Sequence, residues 1–233
     1  MRGWWRELGS LVLPTACAGC GAGREVLCEA CRRAVCAGPA RRVRPVPEPV
    51  GLPPVYAATG YADQPRAVLL AHKERGMLAL AAPLGRALAV SVRAVAPAAG
   101  AGRAVGLVPV PSTRAAVARR GHDPVRRIAL AAARRLRAEG RAVQVRPALR
   151  MTRVVADQAG LTAAERRANL AGALAVRPGA LRPGDPVLLV DDLVTTGASL
   201  TEAARAVTAA GGTVLGAAVV AGPSFEWSYA TRR

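Results

Sequence analysis

The chain has 233 residues, which is enough for one full-sized domain and a small appendage but not for two ordinary domains. Hydrophobic residues make up 52% of it and aromatic residues only 3%, so the composition excludes a largely disordered chain and predicts a core of Ala, Val and Leu. The 33 basic and 15 acidic residues give a formal net charge of +18, from which we expect anionic partners such as phosphates, nucleic acid or anionic lipid.

The apolar runs and the spacing of the cysteines indicate the compartment and whether the chain crosses a membrane. Arginines interrupt every long apolar run, so the sequence predicts no membrane span. A signal peptide is not favoured, because Glu7 splits the short N-terminal apolar stretch and Pro14 lies just before Cys17. Five cysteines with tight local spacing fit metal ligation in a reducing compartment better than a secreted disulfide framework. We therefore expect a cytoplasmic protein.

Composition divides the chain into four segments. Residues 1–37 are rich in cysteine, and residues 38–54 carry closely spaced prolines that are typical of a stiff linker. Residues 55–223 alternate short apolar runs with longer Ala- and Arg-rich helical stretches, and residues 224–233 form a tail. The alternation predicts an α/β domain with a largely parallel sheet flanked by helices.

Periodicity, caps and breakers predict the elements of this domain. Asp123 can cap a helix whose first residue is Pro124, where a missing N–H costs least. Hydroxyl residues followed three positions later by Glu predict two further helix starts, at Thr162 and at Ser199. In chain order we expect a strand at 55–61, helices at 64–74 and 77–95, a strand at 106–110, a polar loop at 111–123, a helix from 124 to about 139 and a buried strand at 187–190.

Four cysteines near the N-terminus form two Cys-x-x-Cys pairs separated by seven residues. Each pair can supply two thiolates from one tight turn, and two pairs complete a tetrahedral zinc site with no open coordination position. The spacing predicts a structural Zn²⁺ held by Cys17, Cys20, Cys28 and Cys31. A thioredoxin-like redox motif is the alternative, but it needs only one pair and a βαβ context. The fifth cysteine, Cys36, is expected to be a small buried hydrophobe.

A second group of polar residues follows the apolar run Val187–Val190. Asp191 and Asp192 come at the carboxyl end of this predicted strand, where open α/β sheets place their ligand crevice. The next residues, TTGAS from Thr195 to Ser199, combine hydroxyls, backbone N–H groups and a helix N-terminus, which together suit a phosphate. Because the carboxylates would repel a phosphate placed on them, they favour sugar hydroxyls or Mg²⁺.

Other interpretations of these residues fit less well. The turn lacks the Walker pattern GxxxxGK[ST], and no GxGxxG follows a strand. A strand, an acidic turn and a capped helix without any ligand is the plain structural alternative. His72 and His122 do not form a metal pair, and no Ser, His and Asp arrangement indicates a hydrolase. His122 is expected to be a partly exposed loop imidazole.

The run VLLVDDLVTTGAS resembles the phosphoribosyl-diphosphate-binding motif of the type I phosphoribosyltransferases. The resemblance implies that Asp191 and Asp192 hold the ribose hydroxyls, that the turn cradles the 5-phosphate, and that Mg²⁺ accompanies the diphosphate. The turn residues to which this role is carried are Thr195, Thr196, Gly197, Ala198 and Ser199.

Nearly the whole chain resembles the ComF family, which is associated with natural competence and DNA uptake. Besides the acidic motif, the matching features are the cysteine cluster, LAHKERG around Lys73, LVPVPSTRAAVARRGHD, and QAGLTAAERRANLAGAL from Gln158 to Leu174. The resemblance implies a type I phosphoribosyltransferase-like fold with a small N-terminal zinc module. Lys73, the only lysine, is implied as a phosphate ligand, Arg114 lies beside the diphosphate, and Arg119 and Arg120 belong to a cover loop that neutralises it.

Two functions are therefore expected from the sequence. The first is a phosphoribosyl-diphosphate-binding transferase whose acceptor the sequence does not reveal. The alternative is a non-catalytic accessory protein of the competence machinery that binds single-stranded DNA and other competence proteins. The net charge of +18 supports the second function, whereas the low aromatic content counts against base stacking. Terminal aromatic residues form either a hood over a nucleobase or part of the core: Trp4, Trp5, Trp227 and Tyr229.

Overall fold

The computed structural model describes residues 16–36, 38–96, 104–155 and 162–223. The strands are β1 (Arg41–Val43), β2 (Val55–Gly60), β3 (Val105–Pro109), β4 (Val143–Val145), β5 (Leu149–Met151), β6 (Leu174–Val176), β7 (Pro186–Leu193) and β8 (Thr213–Gly222). The helices are α1 (Glu29–Val35), α2 (Asp63–Glu74), α3 (Ala81–Val95), α4 (Arg114–Arg120), α5 (Pro124–Ala138), α6 (Ala163–Leu170) and α7 (Ala198–Ala209).

Six strands form the main sheet, in the order β1-β2-β8-β7-β3-β4. Every neighbouring pair is parallel except β1 and β2, so the mostly parallel sheet flanked by helices is confirmed. β7 lies between β8 and β3, as its continuous apolar run predicts for a strand covered on both faces. β5 and β6 pair antiparallel in a separate two-stranded sheet.

Alternate residues of β7 belong to two hydrophobic layers. Leu188 and Val190 pack in the cluster that includes α2, α3 and α5, whereas Val187 and Leu189 pack in the cluster that includes α7. All four side chains are fully buried. Because successive side chains of a strand point to opposite faces, this strand anchors both layers and holds its carboxyl end in a fixed place.

The polar loop predicted at 111–123 was wrong, because most of this segment is helix α4. Thr113 caps the helix by accepting a hydrogen bond from the N–H of Ala116 at 3.2 Å, and Gly121 ends it in the left-handed region at φ 73°. Arg119 and Arg120, expected in a cover loop, are the last two residues of this helix. The next helix, α5, begins as predicted, with the carboxylate of Asp123 capping it.

Of the two predicted capping boxes, the one at Thr162 is confirmed and the one at Ser199 is wrong. Helix α7 begins at Ala198, after Gly197 in the left-handed region at φ 76°. Glu202, which the second box needed, instead accepts a hydrogen bond from the N–H of Leu174 at 3.0 Å and pairs with Arg205. Glu202 binds Leu174 in place of a local cap because β6 lies beside the first turns of α7.

The proline-rich segment 38–54 takes part in the fold. Its residues 41–43 form β1, which pairs with β2 at the edge of the main sheet, and Leu52 packs in the same cluster as α7. Edge positions tolerate a proline-rich chain because one side of the strand needs no ladder partner. The tail at 224–233, Pro97 and the four terminal aromatic residues named above lie outside the described residues.

Among the described residues, one helical segment is long and apolar enough to cross a membrane by length and composition. This segment, Leu78–Val95, covers a turn of 3-10 helix and α3, and its mean hydropathy is 1.5. It includes Arg86 and Arg93. Inside the fold 56% of it is buried, where α3 packs on β8, β2 and α5.

Candidate functional site

A cleft of about 500 Å³ lies at the carboxyl ends of β3 and β7. The parallel register pairs Pro109 with Val190, so the loops that follow these two strands emerge side by side. Pro111 and Ser112 line the cleft after β3, and Leu170 of α6 lines another wall. Seven residues predicted from the sequence share this cleft, namely Lys73, Arg119, Arg120, Asp191, Asp192, Thr195 and Ser199.

The other predicted site residues lie around this lining. Thr196, Gly197 and Ala198 form the interior of the turn between β7 and α7, and Gly197 and Ala198 are buried there. Arg114 is exposed at the first position of α4 and is not part of the cleft lining. The sheet topology therefore brings the acidic pair, part of the turn and three basic residues together.

Lys73 reaches the acidic pair from α2. Its Nζ lies 2.8 Å from Oδ2 of Asp192, a residue that is only 5% exposed. Burial lowers the pKa of Lys73, but the carboxylates of Asp192 and Asp191 outweigh burial and raise its pKa above the ordinary lysine value. This ammonium stays charged, and it neutralises one of the two carboxylates.

Asp191 has a different environment. Its Oδ1 accepts a hydrogen bond from the N–H of Asp192 at 2.8 Å. Burial and then the neighbouring Asp192 carboxylate raise its pKa well above the usual range, although Lys73 acts in the opposite direction. A carboxyl group held this way is stabilised by hydroxyl donors or by a cation, and both can enter from the cleft.

The turn after β7 leaves the first N–H groups of α7 without a side-chain cap. The N–H of Ala198 lies 3.5 Å from Oγ1 of Thr196, which is a weak contact. Thr195 is exposed at the cleft, and Arg166 of α6 donates from Nη1 to its Oγ1 at 3.4 Å. An uncapped helix start beside hydroxyls and a guanidinium is a ready anion site.

Helix α4 is fastened to α2 at the mouth of the cleft. Arg120 donates to both carboxylate oxygens of Glu74, at 2.6 and 2.9 Å. Nε2 of His122 lies 3.1 Å from the carbonyl oxygen of His72. Three consecutive residues of α2 thus contact the chain around the cleft: the carbonyl group of His72 contacts His122 after α4, Lys73 binds Asp192, and Glu74 binds Arg120.

The two histidines lie against each other inside the fold. His122 is 7% exposed, so the expected partly exposed loop imidazole was wrong, because α4 folds the residue back against α2. His72 is fully buried, and its ring centroid lies 5.4 Å from that of His122. Burial lowers the pKa of His72.

The four N-terminal cysteines lie together, with all Sγ atoms within 4.8 Å of one another. Sγ of Cys20 and Sγ of Cys28 are 3.7 Å apart, close to the spacing of about 3.8 Å that tetrahedral Zn–S bonds of about 2.3 Å require. A Cβ at Gly19 would lie 2.7 Å from Sγ of Cys31, so only glycine fits the turn between the first two ligands. The predicted ligand set is confirmed as a cluster that can hold a metal ion and fits structural zinc.

Hydrogen bonds within the cysteine cluster prepare one thiol for metal binding. The N–H groups of Gly19 and Cys28 lie 3.4 and 3.3 Å from Sγ of Cys17. Burial raises the pKa of Cys17, but backbone hydrogen bonds outweigh it and lower the pKa to about 6. Burial and the neighbouring thiols raise the pKa of Cys31. Cys36 lies outside the cluster, half-buried, with Sγ 3.7 Å from the carbonyl oxygen of Pro83.

Two residues of the site were missed by sequence reasoning. Glu74 follows the only lysine directly, and Arg166 belongs to the segment AERRANL, so both lie in stretches that carry the family resemblance. A single sequence with this many arginines does not indicate which guanidinium meets the turn. Only the packing of α6 beside α7 identifies Arg166.

Comparisons with family models and with curated proteins identify no homologue of this chain. No model of a known protein family matches the chain, and no curated protein matches it. Function is therefore inferred from the residues of the cleft and of the cysteine cluster, since a mixed α/β fold by itself hosts many unrelated activities.

Proposed function

We propose that the cleft binds phosphoribosyl diphosphate and that the chain is a type I phosphoribosyltransferase-like member of the ComF family, acting in DNA uptake during natural competence. One observation carries the proposal: the acidic pair, the hydroxyl-rich turn before α7 and three basic side chains all line one cleft. A sugar with a phosphate at one end and a diphosphate at the other meets a complementary group at each position.

The 5-phosphate fits the turn at 195–199. Hydroxyls of Thr195 and Ser199 line the cleft, and the N-terminus of α7 adds N–H groups and the positive end of its dipole. The ribose hydroxyls then lie toward Asp191, whose half-buried carboxyl gains from each donor.

The diphosphate end fits the basic side of the cleft. Lys73 has two ammonium protons beyond the one directed at Asp192, and Arg119 is exposed at the end of α4. Arg120 reaches a ligand by exchanging the Glu74 carboxylate for a phosphate. Among the described residues, Asp191 is the carboxylate best suited to meet Mg²⁺, because Asp192 is already paired with Lys73. The ion would supply neutralisation of the diphosphate charge.

Transfer would break the bond between ribose C1 and the diphosphate through an oxocarbenium-like state and form a bond between C1 and the acceptor, with diphosphate as the leaving group. The chain then acts by positioning: the turn holds one end of the sugar, Asp191 and Asp192 hold its middle, and the basic residues stabilise charge on the leaving diphosphate. No side chain needs to form a covalent bond in this scheme.

Calorimetric titration with phosphoribosyl diphosphate and Mg²⁺ tests the proposal. We expect the wild type to bind and Asp191→Asn to weaken binding about tenfold or more, because a charge-assisted hydrogen bond is lost. Asp123→Asn is the matched control, since it caps α5 outside the cleft lining and Asn caps as well as Asp. Absence of heat with the wild type, or equal affinity of wild type and Asp191→Asn, contradicts the proposal.

The cysteine cluster is proposed to hold one structural Zn²⁺ in a cytoplasmic protein. Four thiol ligands leave no open coordination position, which excludes zinc catalysis at this cluster. Free thiols kept together in this way are typical of a reducing compartment.

A second candidate function is a DNA-binding accessory role, with single-stranded DNA and other competence proteins as partners. The net charge of +18 is the observation that favours it, because phosphate contacts dominate nonspecific DNA binding. The two functions are compatible, since a nucleic acid can use arginines outside the cleft.

A further inference from the structure

We infer that Arg166 of α6 is a ligand for the sugar-phosphate end of the substrate. The inference rests on the proposed function, and it adds a residue that the phosphoribosyl-diphosphate motif does not contain. It also assigns different phosphate groups to different residues: Arg166 binds the 5-phosphate, and the arginines at the end of α4 bind the diphosphate.

The guanidinium of Arg166 lies at the phosphate turn with unused hydrogen-bonding capacity. Its Nη1 donates to Oγ1 of Thr195 at 3.4 Å, near the outer limit for a hydrogen bond. Its Nε is buried and has no hydrogen-bond partner among the described residues. A buried donor without an acceptor is destabilising. An oxygen of a bound phosphate would accept a hydrogen bond from this Nε, and such a charge-assisted hydrogen bond is stronger than a neutral one.

The position of this guanidinium is set by the packing of α6. The Thr162 and Glu165 capping box fixes where the helix begins. Leu170, one turn after Arg166 on the same helix face, packs in a small cluster with Ala198, the first residue of α7. Arg166 is thereby held at the end of the turn where the phosphate is expected.

The charges around Arg166 favour an external anion. Among the described residues no carboxylate forms an ion pair with it, and the carboxylate of the adjacent Glu165 is used by the N–H and hydroxyl of Thr162. By contrast, Arg120, which lines the cleft, is already paired with Glu74. A planar guanidinium without a carboxylate partner is well suited to bidentate phosphate binding.

Separate titrations with ribose 5-phosphate, with pyrophosphate and with phosphoribosyl diphosphate, the last two in the presence of Mg²⁺, test the assignment. We expect Arg166→Gln to weaken ribose 5-phosphate and phosphoribosyl diphosphate by about 10- to 100-fold, and to change pyrophosphate affinity less than twofold. Arg166→Lys keeps the charge but not the planar guanidinium that binds phosphate through two donors, and we expect its affinity for both of these ligands to fall about tenfold. Arg167→Gln is the control, because it removes the same charge from the same helix and lines a different groove.

Circular dichroism and thermal unfolding of each variant show whether α6 and the fold persist. Equal ribose 5-phosphate affinity of wild type and Arg166→Gln overturns the inference, as does an equal loss for all three ligands. Binding of ribose 5-phosphate that depends on Arg166, with no binding of phosphoribosyl diphosphate, supports Arg166 as a phosphate ligand and contradicts only the proposed function. Absence of binding by the wild type to every ligand overturns both.

Discussion

Asp191 and Asp192 are neighbours in sequence with opposite electrostatic surroundings. Asp192 is buried and satisfied by the Lys73 ammonium, whereas Asp191 lies beside another carboxylate and has a raised pKa because of burial and that neighbour. Asp192 already has a cationic partner, whereas Asp191 is open to hydroxyl donors or a cation from the cleft. Residues that bind ligands are often of the second kind, because the ligand supplies what the protein lacks.

The first prediction is that Asp191→Asn raises the free energy of unfolding at pH 7 by about 1 kcal/mol while it weakens ligand binding. A raised native pKa means that the native state resists ionisation, so wild-type stability falls as pH rises from the ordinary carboxyl pKa of about 3.9 toward the native value. Asp191→Asn has no ionisable group at this position, so its stability does not fall with pH in this way. Urea unfolding between pH 4 and 8 is expected to show a gap that widens with pH, and a gap independent of pH contradicts the explanation.

The second prediction concerns the buried partner. Asp192→Asn removes the carboxylate that holds Lys73, and we expect the free energy of unfolding to fall by about 1 to 3 kcal/mol. Glu74→Gln is the matched comparison, because its side chain is 41% exposed and its pair with Arg120 is expected to contribute less than about 1 kcal/mol. Urea unfolding of both variants decides the point: equal small losses would show that the Asp192 pair is no stronger than a surface pair.

At the scale of elements, the turn before α7 is supported from behind by the proline-rich segment 47–52. A Cβ at Gly197 would lie 3.1 Å from a methyl carbon of Leu52 and 3.2 Å from Pro49. A side chain at position 197 would therefore meet this segment. The turn at 195–199 therefore depends on a stretch of chain that composition alone marks as a linker.

The third prediction is that Gly197→Ala lowers the free energy of unfolding by about 2 kcal/mol or more, because φ of 76° is strained for alanine and the methyl meets Leu52. Shortening Leu52 tests the steric contribution to this loss of stability. In a double-mutant cycle with Leu52→Ala, we expect a cost smaller than the sum of the two single changes. Strict additivity in thermal or urea unfolding would show that the two residues do not press on each other.

The fourth prediction concerns the cysteine module, whose Cys17, Cys31 and Val35 pack in the same core cluster as α2 and α3. We expect one zinc per chain by elemental analysis of protein purified without chelator. Replacing both Cys17 and Cys28 by Ser is expected to abolish metal binding and to lower the melting temperature, because loss of the metal loosens the side of the core that the module covers. Cys36→Ser is the control and is expected to keep the metal, since Cys36 lies outside the cluster. Metal retained in the double variant contradicts this ligand set.

For the whole molecule, net charge is the dominant property. With 33 basic and 15 acidic residues, basic side chains outnumber carboxylates by more than two to one. Few arginines line the cleft, so the remaining charge produces a general positive field over the surface.

The fifth prediction is nonspecific binding of single-stranded DNA with a steep dependence on salt, because binding releases counterions from the phosphates. Fluorescence anisotropy with oligonucleotides of unrelated sequence, from low to physiological salt, measures it. We expect similar affinities for all sequences and a marked loss as salt rises. An affinity that does not change with salt, or no binding at low salt, removes the support for the DNA-binding role.

Local signals in the sequence were sufficient for much of the fold. The apolar run of β7, the Asp123 cap of α5 and the Thr162 capping box were each predicted, since they depend on residues within a few positions of one another. The cysteine cluster was predictable for the same reason: two short pairs can meet only over a small loop. Helix α4 was missed although Thr113 and Gly121 mark its ends, because its arginines resemble those of a polar loop.

The contacts between distant segments were decided only by the tertiary structure. Glu202 has the spacing of a local cap, yet it binds Leu174, because the chain at β6 passes within reach of α7. Lys73 and Asp192 are far apart in sequence and become an ion pair only when α2 packs beside the end of β7. By itself the sequence determined several of the strands and helices and the cysteine cluster, since propensity, caps and periodicity act over a few residues. The partner of each charged group depended on the order of strands in the sheet, which no short stretch of residues encodes.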